Sequence, residues 1–375
     1  RGKLAVNSKL PIETQDDLSV AYTPGVAAPC EAIAANPEAA RELTLKRNAV
    51  AVVSDGSAVL GLGNIGPLAA IPVMEGKAIL FKEYANIDAW PLCVDTQDSD
   101  CIVDTVRRIA PVFGGINLED ISAPRCFEIE ERLQDLGIPV FHDDQHGTAI
   151  VLLAAMLNAA RVLGKNPADL KIVINGAGAA GTAIAKLLRC IDMDPGVCTP
   201  VADVVICDSK GSIHRQRTDL NSQKTDLLRF TNRDDRSGTL RDILKGADVF
   251  VGVSKGNLIG RDDVARMADS PVILAMANPI PEILPDEARA GGAAIVGTGR
   301  SDFPNQVNNV LAFPGIFRGA LDARATQITA AMKLAAAHAL AAAVDELGPD
   351  RILPSPLNRS VAPRIARAVA EAAKQ

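Results

Sequence analysis

Short apolar runs alternate with longer amphipathic or alanine-rich segments along most of the chain. Residues 49–54, 91–95, 115–121, 138–141, 170–175, 202–208, 246–252, 271–279 and 293–297 are mostly apolar stretches bounded by glycine, proline or acidic residues. Apolar character that is continuous rather than alternating marks strands buried on both faces, as in parallel sheets. Residues 30–47, 69–84, 101–110, 127–136, 149–161 and 261–268 read as helices between them. This alternation predicts parallel sheets with helices on both faces. Residues 319–375 carry no further strand series and read as helices.

The pattern divides near residue 148. The run 138–141 ends in His142, Asp143 and Asp144, and the apolar helix pattern starting at Ala149 follows at once. Charge set between a strand end and a helix is where α/β proteins place chemistry. The expected fold is therefore α/β, with a Rossmann-type parallel-sheet domain over residues 149–312 and a smaller α/β domain over residues 1–148. Residues 313–375 are expected to pack back on the first domain or on a partner subunit. A chain of 375 residues is long enough for two cores.

Composition narrows the partners. A net charge of −6 without a basic run argues against nucleic acid or an anionic membrane surface. The most apolar segment, residues 330–344, contains Lys333 and His338 and is too short to span a bilayer, so no membrane role is expected. The seven cysteines form no CxxC pair and read as reduced thiols of a cytoplasmic protein.

The strongest motif is Gly176-Ala177-Gly178-Ala179-Ala180-Gly181, placed between an apolar strand and an amphipathic helix. In that context GxGxxG binds a dinucleotide: a tight turn, close approach of the pyrophosphate, and a helix N-terminus beneath it. Asp208 ends the next strand, where an acid takes the ribose hydroxyls of NAD. Lys210 and Arg215 follow and could hold the 2′-phosphate of NADP, so either cofactor is compatible. A second GxGxxG, residues 61–66, lacks a following strand with an acidic end and reads as a turn shaping a cleft.

Two acidic pairs, Glu119-Asp120 and Asp143-Asp144, each follow a short strand and precede a helix. Four clustered carboxylates repel one another unless a cation sits among them, and an all-oxygen set suits Mg²⁺ or Mn²⁺. Lys77 follows a glycine among apolar residues; desolvation is expected to push it toward neutrality and let it act as a base. Tyr22 stands beside the Pro24-Gly25 turn, at the mouth of a loop. His142 and His146 are spaced i, i+4, but without the HExxH pattern of a zinc site.

These blocks occur in an order that resembles the malic enzyme family, in its short bacterial or archaeal form. The resemblance rests on Tyr22-Thr23-Pro24-Gly25, Asp55-Gly56 with Gly61–Gly66, Gly76-Lys77, Asn117-Leu118-Glu119-Asp120, residues 142–148, Gly176–Gly181, Ala277-Asn278-Pro279 and Asn308-Asn309. It implies Lys77 as general base, Tyr22 as general acid, and Glu119, Asp120 and Asp144 as metal ligands with Asp143 as a supporting acid. It further implies Asn278 and Asn309 as malate-binding residues. The implied reaction is oxidative decarboxylation of L-malate to pyruvate and CO2 with NAD or NADP and Mg²⁺ or Mn²⁺, in a homodimer. Many family members grip the substrate carboxylate with an arginine after the Asp-Gly turn; Ser57-Ala58-Val59 stands here, leaving Arg300 as a candidate. A metal-free hydroxy-acid or amino-acid dehydrogenase, or a dinucleotide-sensing protein, would explain the glycine loop but not the carboxylates.

Overall fold

The structure is a computed structural model that describes residues 2–193 and 196–374. Two sheets organise it. The first, with strand order β2-β1-β3-β4, comprises β1 (Ala49–Ser54), β2 (Asp88–Cys93), β3 (Gly115–Leu118) and β4 (Val140–His142). All its pairings are parallel. The second comprises β5 (Lys171–Asn175), β6 (Asp203–Asp208), β7 (Gly211–Ser212), β8 (Val249–Gly252), β9 (Val272–Ala275) and β10 (Ile295–Thr298), in the order β10-β9-β8-β5-β6-β7. Only β7 is antiparallel. β1, β3, β4, β8, β9 and β10 are buried on both faces, as their continuous apolar runs predict, while the edge strand β2 is only partly buried.

The helix Asp143–Leu163 connects the two units. It starts six residues ahead of the predicted apolar pattern, because Asp143 and Asp144 occupy its first turn, where the N-terminal end of the helix dipole favours acids. By length and apolar composition it could cross a membrane, yet it is a core helix, buried from Ala149 to Met156. Asn158 on its buried face donates to the carbonyls of Ala341 and Ile352, both at 2.9 Å.

The C-terminal helices Phe313–Asp322, Ala330–Ala341 and Val361–Ala372 close over the first unit. Phe81, on the helix Gly66–Ala85, meets Phe313 and Phe317 edge-on at ring distances of 4.7 and 5.3 Å. Phe141 of β4 meets Phe317 at 5.8 Å. Gly315 and Gly319 permit close approach of the last helix: a Cβ at either would lie under 3 Å from Ile365 or Val369.

One sequence expectation is overturned. Cys190 and Cys198 are joined in a disulfide rather than left as thiols; the loop between them, of which residues 194 and 195 are outside the described residues, brings the two Cα atoms to 5.8 Å. The other five cysteines are free.

Candidate active site

β3 and β4 are parallel neighbours with Leu118 opposite His142. Each strand therefore delivers the residues that follow it to the same carboxyl edge, and the two acidic pairs meet there. Carboxylate oxygens of Glu119, Asp120 and Asp144 all lie within 4.8 Å of one another. Asp120 adopts a left-handed conformation, φ +54°, and its amide donates to Asp144 Oδ2 at 2.8 Å. Asp120 Oδ2 and Asp143 Oδ1 are buried with no hydrogen-bond partner. Burial of unpartnered carboxylate oxygens is costly unless a cation is there to receive them. Burial, with the nearby charges of Asp144 and Glu119, raises the Asp120 carboxyl from 3.8 to about 9. This donor set fits a hard divalent ion held by Glu119, Asp120 and Asp144.

Asp143 shares a lysine with the trio. Its Oδ2 lies 2.6 Å from Lys77 Nζ, and Glu119 Oε1 lies 2.8 Å from the same nitrogen. Lys77 is buried on the helix Gly66–Ala85, with its ammonium 4.3 Å from the Phe313 ring centroid. Burial alone would lower its pKa, as the sequence suggests, but the two carboxylates outweigh burial and raise it. With the carboxylates this close, the lysine is a cation. Burial likewise pushes Asp143 up to about 7 against the opposing pull of Lys77. Asn117 Nδ2 fixes the other Glu119 oxygen at 2.8 Å.

Neighbouring contacts hold this arrangement in ways the sequence did not reveal. Arg125 gathers the loops: Nη1 donates to the buried Asp55 at 2.9 Å, and Nη2 donates to Ser57 and Ser122 at 3.0 Å. Ala58 N donates to Asp120 O at 2.9 Å, so this network sets the backbone of Asp120 in the carboxylate trio. Glu130 is buried beneath β4, accepting from the His142 amide at 3.0 Å and pairing with His146 Nε2 at 2.9 Å. His146 faces Lys333 on its other side, so the i, i+4 histidines are not a metal pair.

The second unit supplies the facing wall. A Cβ on Gly61 would lie 2.6 Å from Asn278 O, so the first glycine-rich turn abuts the loop after β9. A Cβ on Gly147 would lie 3.3 Å from Asn309, which places that amide beside the turn bearing Asp143. Asn309 thus lies near Asp143, while the Asn278 amide turns toward Met276 O and Gly299. Arg300 instead pairs with Asp302 at 2.6 Å.

At the dinucleotide loop, Gly176 has φ +130° and Gly181 sits so close to the strand that a Cβ would strike Gly176 O. Gly178 faces open space at the start of the helix Ala179–Leu188. Ala177, Ala179 and Ala180 keep the rest of the turn small, and the cradle fits a pyrophosphate. Asp208 does end β6, but its four acceptor positions are taken. Arg217 donates to both oxygens at 2.8 and 3.0 Å, Lys224 at 2.6 Å and the Lys210 amide at 2.9 Å. Burial would raise this carboxyl; the hydrogen bonds from Arg217 and Lys224 outweigh it and bring it to about 2. Lys210 pairs with Asp219, and Arg215 with Asp235. Arg217 and Lys224 escaped sequence reasoning because the polar excursion after β7 folds back onto β6.

Tyr22 is 68% exposed, and Asn278 and Gly178 are exposed as well. Tyr22 follows the helix Gln15–Ala21, which has no buried residue.

Comparison with known proteins agrees with this geometry. The profile for the malic enzyme N-terminal domain matches residues 1–134, and that for the malic enzyme NAD binding domain matches residues 145–374. A bifunctional malic/malolactic enzyme of Bacillus subtilis (strain 168) is 55% identical, covering 100% of this chain and 90% of its own. An NAD-dependent malic enzyme of Geobacillus stearothermophilus is 56% identical over 99% of this chain and 77% of its own. The crystal structure of the NAD-dependent malic enzyme of Thermotoga maritima superimposes with a TM-score of 0.94 at 47% identity, covering 98% of this chain and 96% of that one. With both halves of the chain matched and a relative more than half identical over the whole of this chain, this chain belongs to the malic enzyme family.

Proposed function

We propose that the protein oxidises L-malate at C2 and releases CO2 and pyruvate, with NAD or NADP as hydride acceptor. The observation that carries the reading is the Lys77–Asp143–Glu119 cluster, adjoining the Glu119, Asp120 and Asp144 trio. When bound, Mg²⁺ or Mn²⁺ polarises the C1 carboxylate and C2 oxygen of malate, and the dinucleotide accepts the hydride.

Lys77 takes the proton of the C2 hydroxyl. It is charged while both Asp143 and Glu119 face it, so it acts as a base once a proton on Asp143 weakens that pull; a divalent ion held by Glu119, Asp120 and Asp144 would weaken it further. Asp143 is poised for this, since its carboxyl is pushed up to about 7. Asn278 and Asn309 hold the substrate carboxylates by their amides. Tyr22 gives its hydroxyl proton to C3 after CO2 departs and recovers it from water. Phe313 and the buried strand ends keep water from the lysine.

The cofactor corner favours a 2′-phosphate. Asp208 has no free lone pair for the ribose hydroxyls, and Lys224 and Lys210 stand beside it. We therefore take NADP as the better cofactor. A cytoplasmic location and a small-molecule substrate complete the reading. Protein stripped of metal is assayed with L-malate and Mn²⁺ against NAD and NADP. Metal-dependent reduction is expected, with higher kcat/KM for NADP; no turnover with either cofactor would refute the reading.

A further inference from the structure

Beside the turn that carries Asp143 and Asp144 lies a buried polar cluster for which the reaction gives no use. Its centre is Glu130, on the helix Arg125–Arg132 and 8% exposed. Glu130 Oε1 accepts from the His142 amide at 3.0 Å and lies 2.9 Å from His146 Nε2. Oε2 accepts from Gln145 Nε2 at 3.2 Å. One carboxylate thus holds residues 142, 145 and 146, which bracket the Asp143-Asp144 pair. The two acids look to other partners: Asp144 accepts from the Asp120 amide, and Asp143 accepts from Lys77 Nζ.

His146 extends the cluster. Its Nδ1 lies 3.2 Å from Nζ of Lys333, on the helix Ala330–Ala341 from the C-terminal part of the chain. Burial would raise the Glu130 carboxyl, but His146 and Lys333 outweigh it and bring it to about 2, so Glu130 only accepts. The imidazole therefore carries its proton on Nε2 and turns the Nδ1 lone pair to the Lys333 N–H. Every donor, from Lys333 through His146 to Glu130, points the same way. A buried chain of this kind is stabilising only with all its members paired, and it then favours a single geometry.

We propose that Lys333, His146 and Glu130 are positioning residues. Their one-way hydrogen-bond chain sets the first turn of the helix Asp143–Leu163, so that Asp144 is aimed at the divalent ion and Asp143 at Lys77. The proposal rests on Glu119, Asp120 and Asp144 as the metal site. Groups that orient a ligand residue without being ligands are worth about 10–100-fold in metal affinity.

Reversing the polarity of the chain tests it. Glu130→Gln keeps the shape but sets an amide N–H against Nε2. The imidazole proton then moves to Nδ1, where it opposes the Lys333 N–H. Mn²⁺ is titrated into metal-free protein and the free ion is followed by electron paramagnetic resonance. The variant is expected to bind Mn²⁺ about 10–100-fold more weakly than wild type. NADP, held by the second unit, should bind as before, which a collapsed fold would not allow. Lys333→Met removes the donor at similar size and should weaken Mn²⁺ several-fold by itself. Added to Glu130→Gln it should cost nothing further, because both changes act on one imidazole. Unchanged Mn²⁺ affinity in Glu130→Gln overturns the proposal, and so do losses that multiply in the double variant. Histidine labelled with ¹⁵N provides a readout without metal, with four rings to assign and His146→Gln to identify the one in question. Wild type should show Nε2 protonated and Nδ1 bare, and Glu130→Gln the reverse; the same tautomer in both overturns the chain. Wild-type protein that binds no Mn²⁺ would instead remove the metal site, and the proposal with it.

Discussion

Lys77 shows why residue type and apolar neighbours do not fix a protonation state. Its glycine-preceded, apolar setting was legible in the chain, and it is buried. The two carboxylates at 2.6 and 2.8 Å come from segments more than forty residues away, and they reverse the direction of the shift. Replacing Lys77 by Ala should lower kcat for malate oxidation by about 10²–10⁴-fold, the usual worth of a general base. A variant within a few-fold of wild type in steady-state assays would remove the lysine from that role. The same cluster makes a pH prediction. Asp120 is raised from 3.8 to about 9, so in metal-free protein the native state holds a proton that the unfolded chain releases at lower pH. Stability of the metal-free form therefore falls as pH rises between those values. A divalent ion must displace that proton, so Mn²⁺ should raise Tm more at pH 8 than at pH 6. Thermal scans with an equal Tm shift at both values would contradict the cluster as a metal site.

At the scale of elements, most strands were legible because each is a continuous apolar run, whereas β2, read as residues 91–95, is Asp88–Cys93, and the two-residue β7 has no apolar run to show it. The helix Asp143–Leu163 was misplaced at its start because its first turn is polar for the site's sake. What one chain segment cannot display is its long-range partner. Arg125 follows Ser-Ala-Pro in an unremarkable turn, yet it binds Asp55, Ser57 and Ser122 across the sheet edge. Arg125→Ala leaves the Asp55 carboxylate buried without its cation. It should cost ~3 kcal/mol in urea unfolding and weaken Mn²⁺ binding through the Ala58–Asp120 link. Unchanged stability would mean that the network does not hold the loops. The Cys190–Cys198 pair was equally invisible, since an eight-residue separation has no motif. Unfolded, unreduced protein should titrate five thiols, the free set, and seven after reduction. Seven thiols without reductant would refute the pairing.

On the scale of the whole molecule, two parallel sheets set the carboxylate edge of one unit against the glycine loop of the other, and helices from the C-terminal third seal the base. Strand–helix alternation alone predicted a parallel sheet in the second unit, and that sheet is parallel apart from β7. The return of residues 313–322 to Phe81 and Phe141 required four aromatic side chains to meet from distant parts of the chain. The exposed segment around Tyr22 is legible only in three dimensions, because its apolar residues resemble core residues until none of them finds a core. The chemistry assigned to the assembled molecule is tested by following L-malate labelled at C4, with Mn²⁺ and NADP. One labelled CO2 and one pyruvate should appear for each dinucleotide reduced. Reduction that leaves the label in accumulating oxaloacetate, or labelled CO2 with lactate and no net reduction, would contradict oxidative decarboxylation as the reaction of this site.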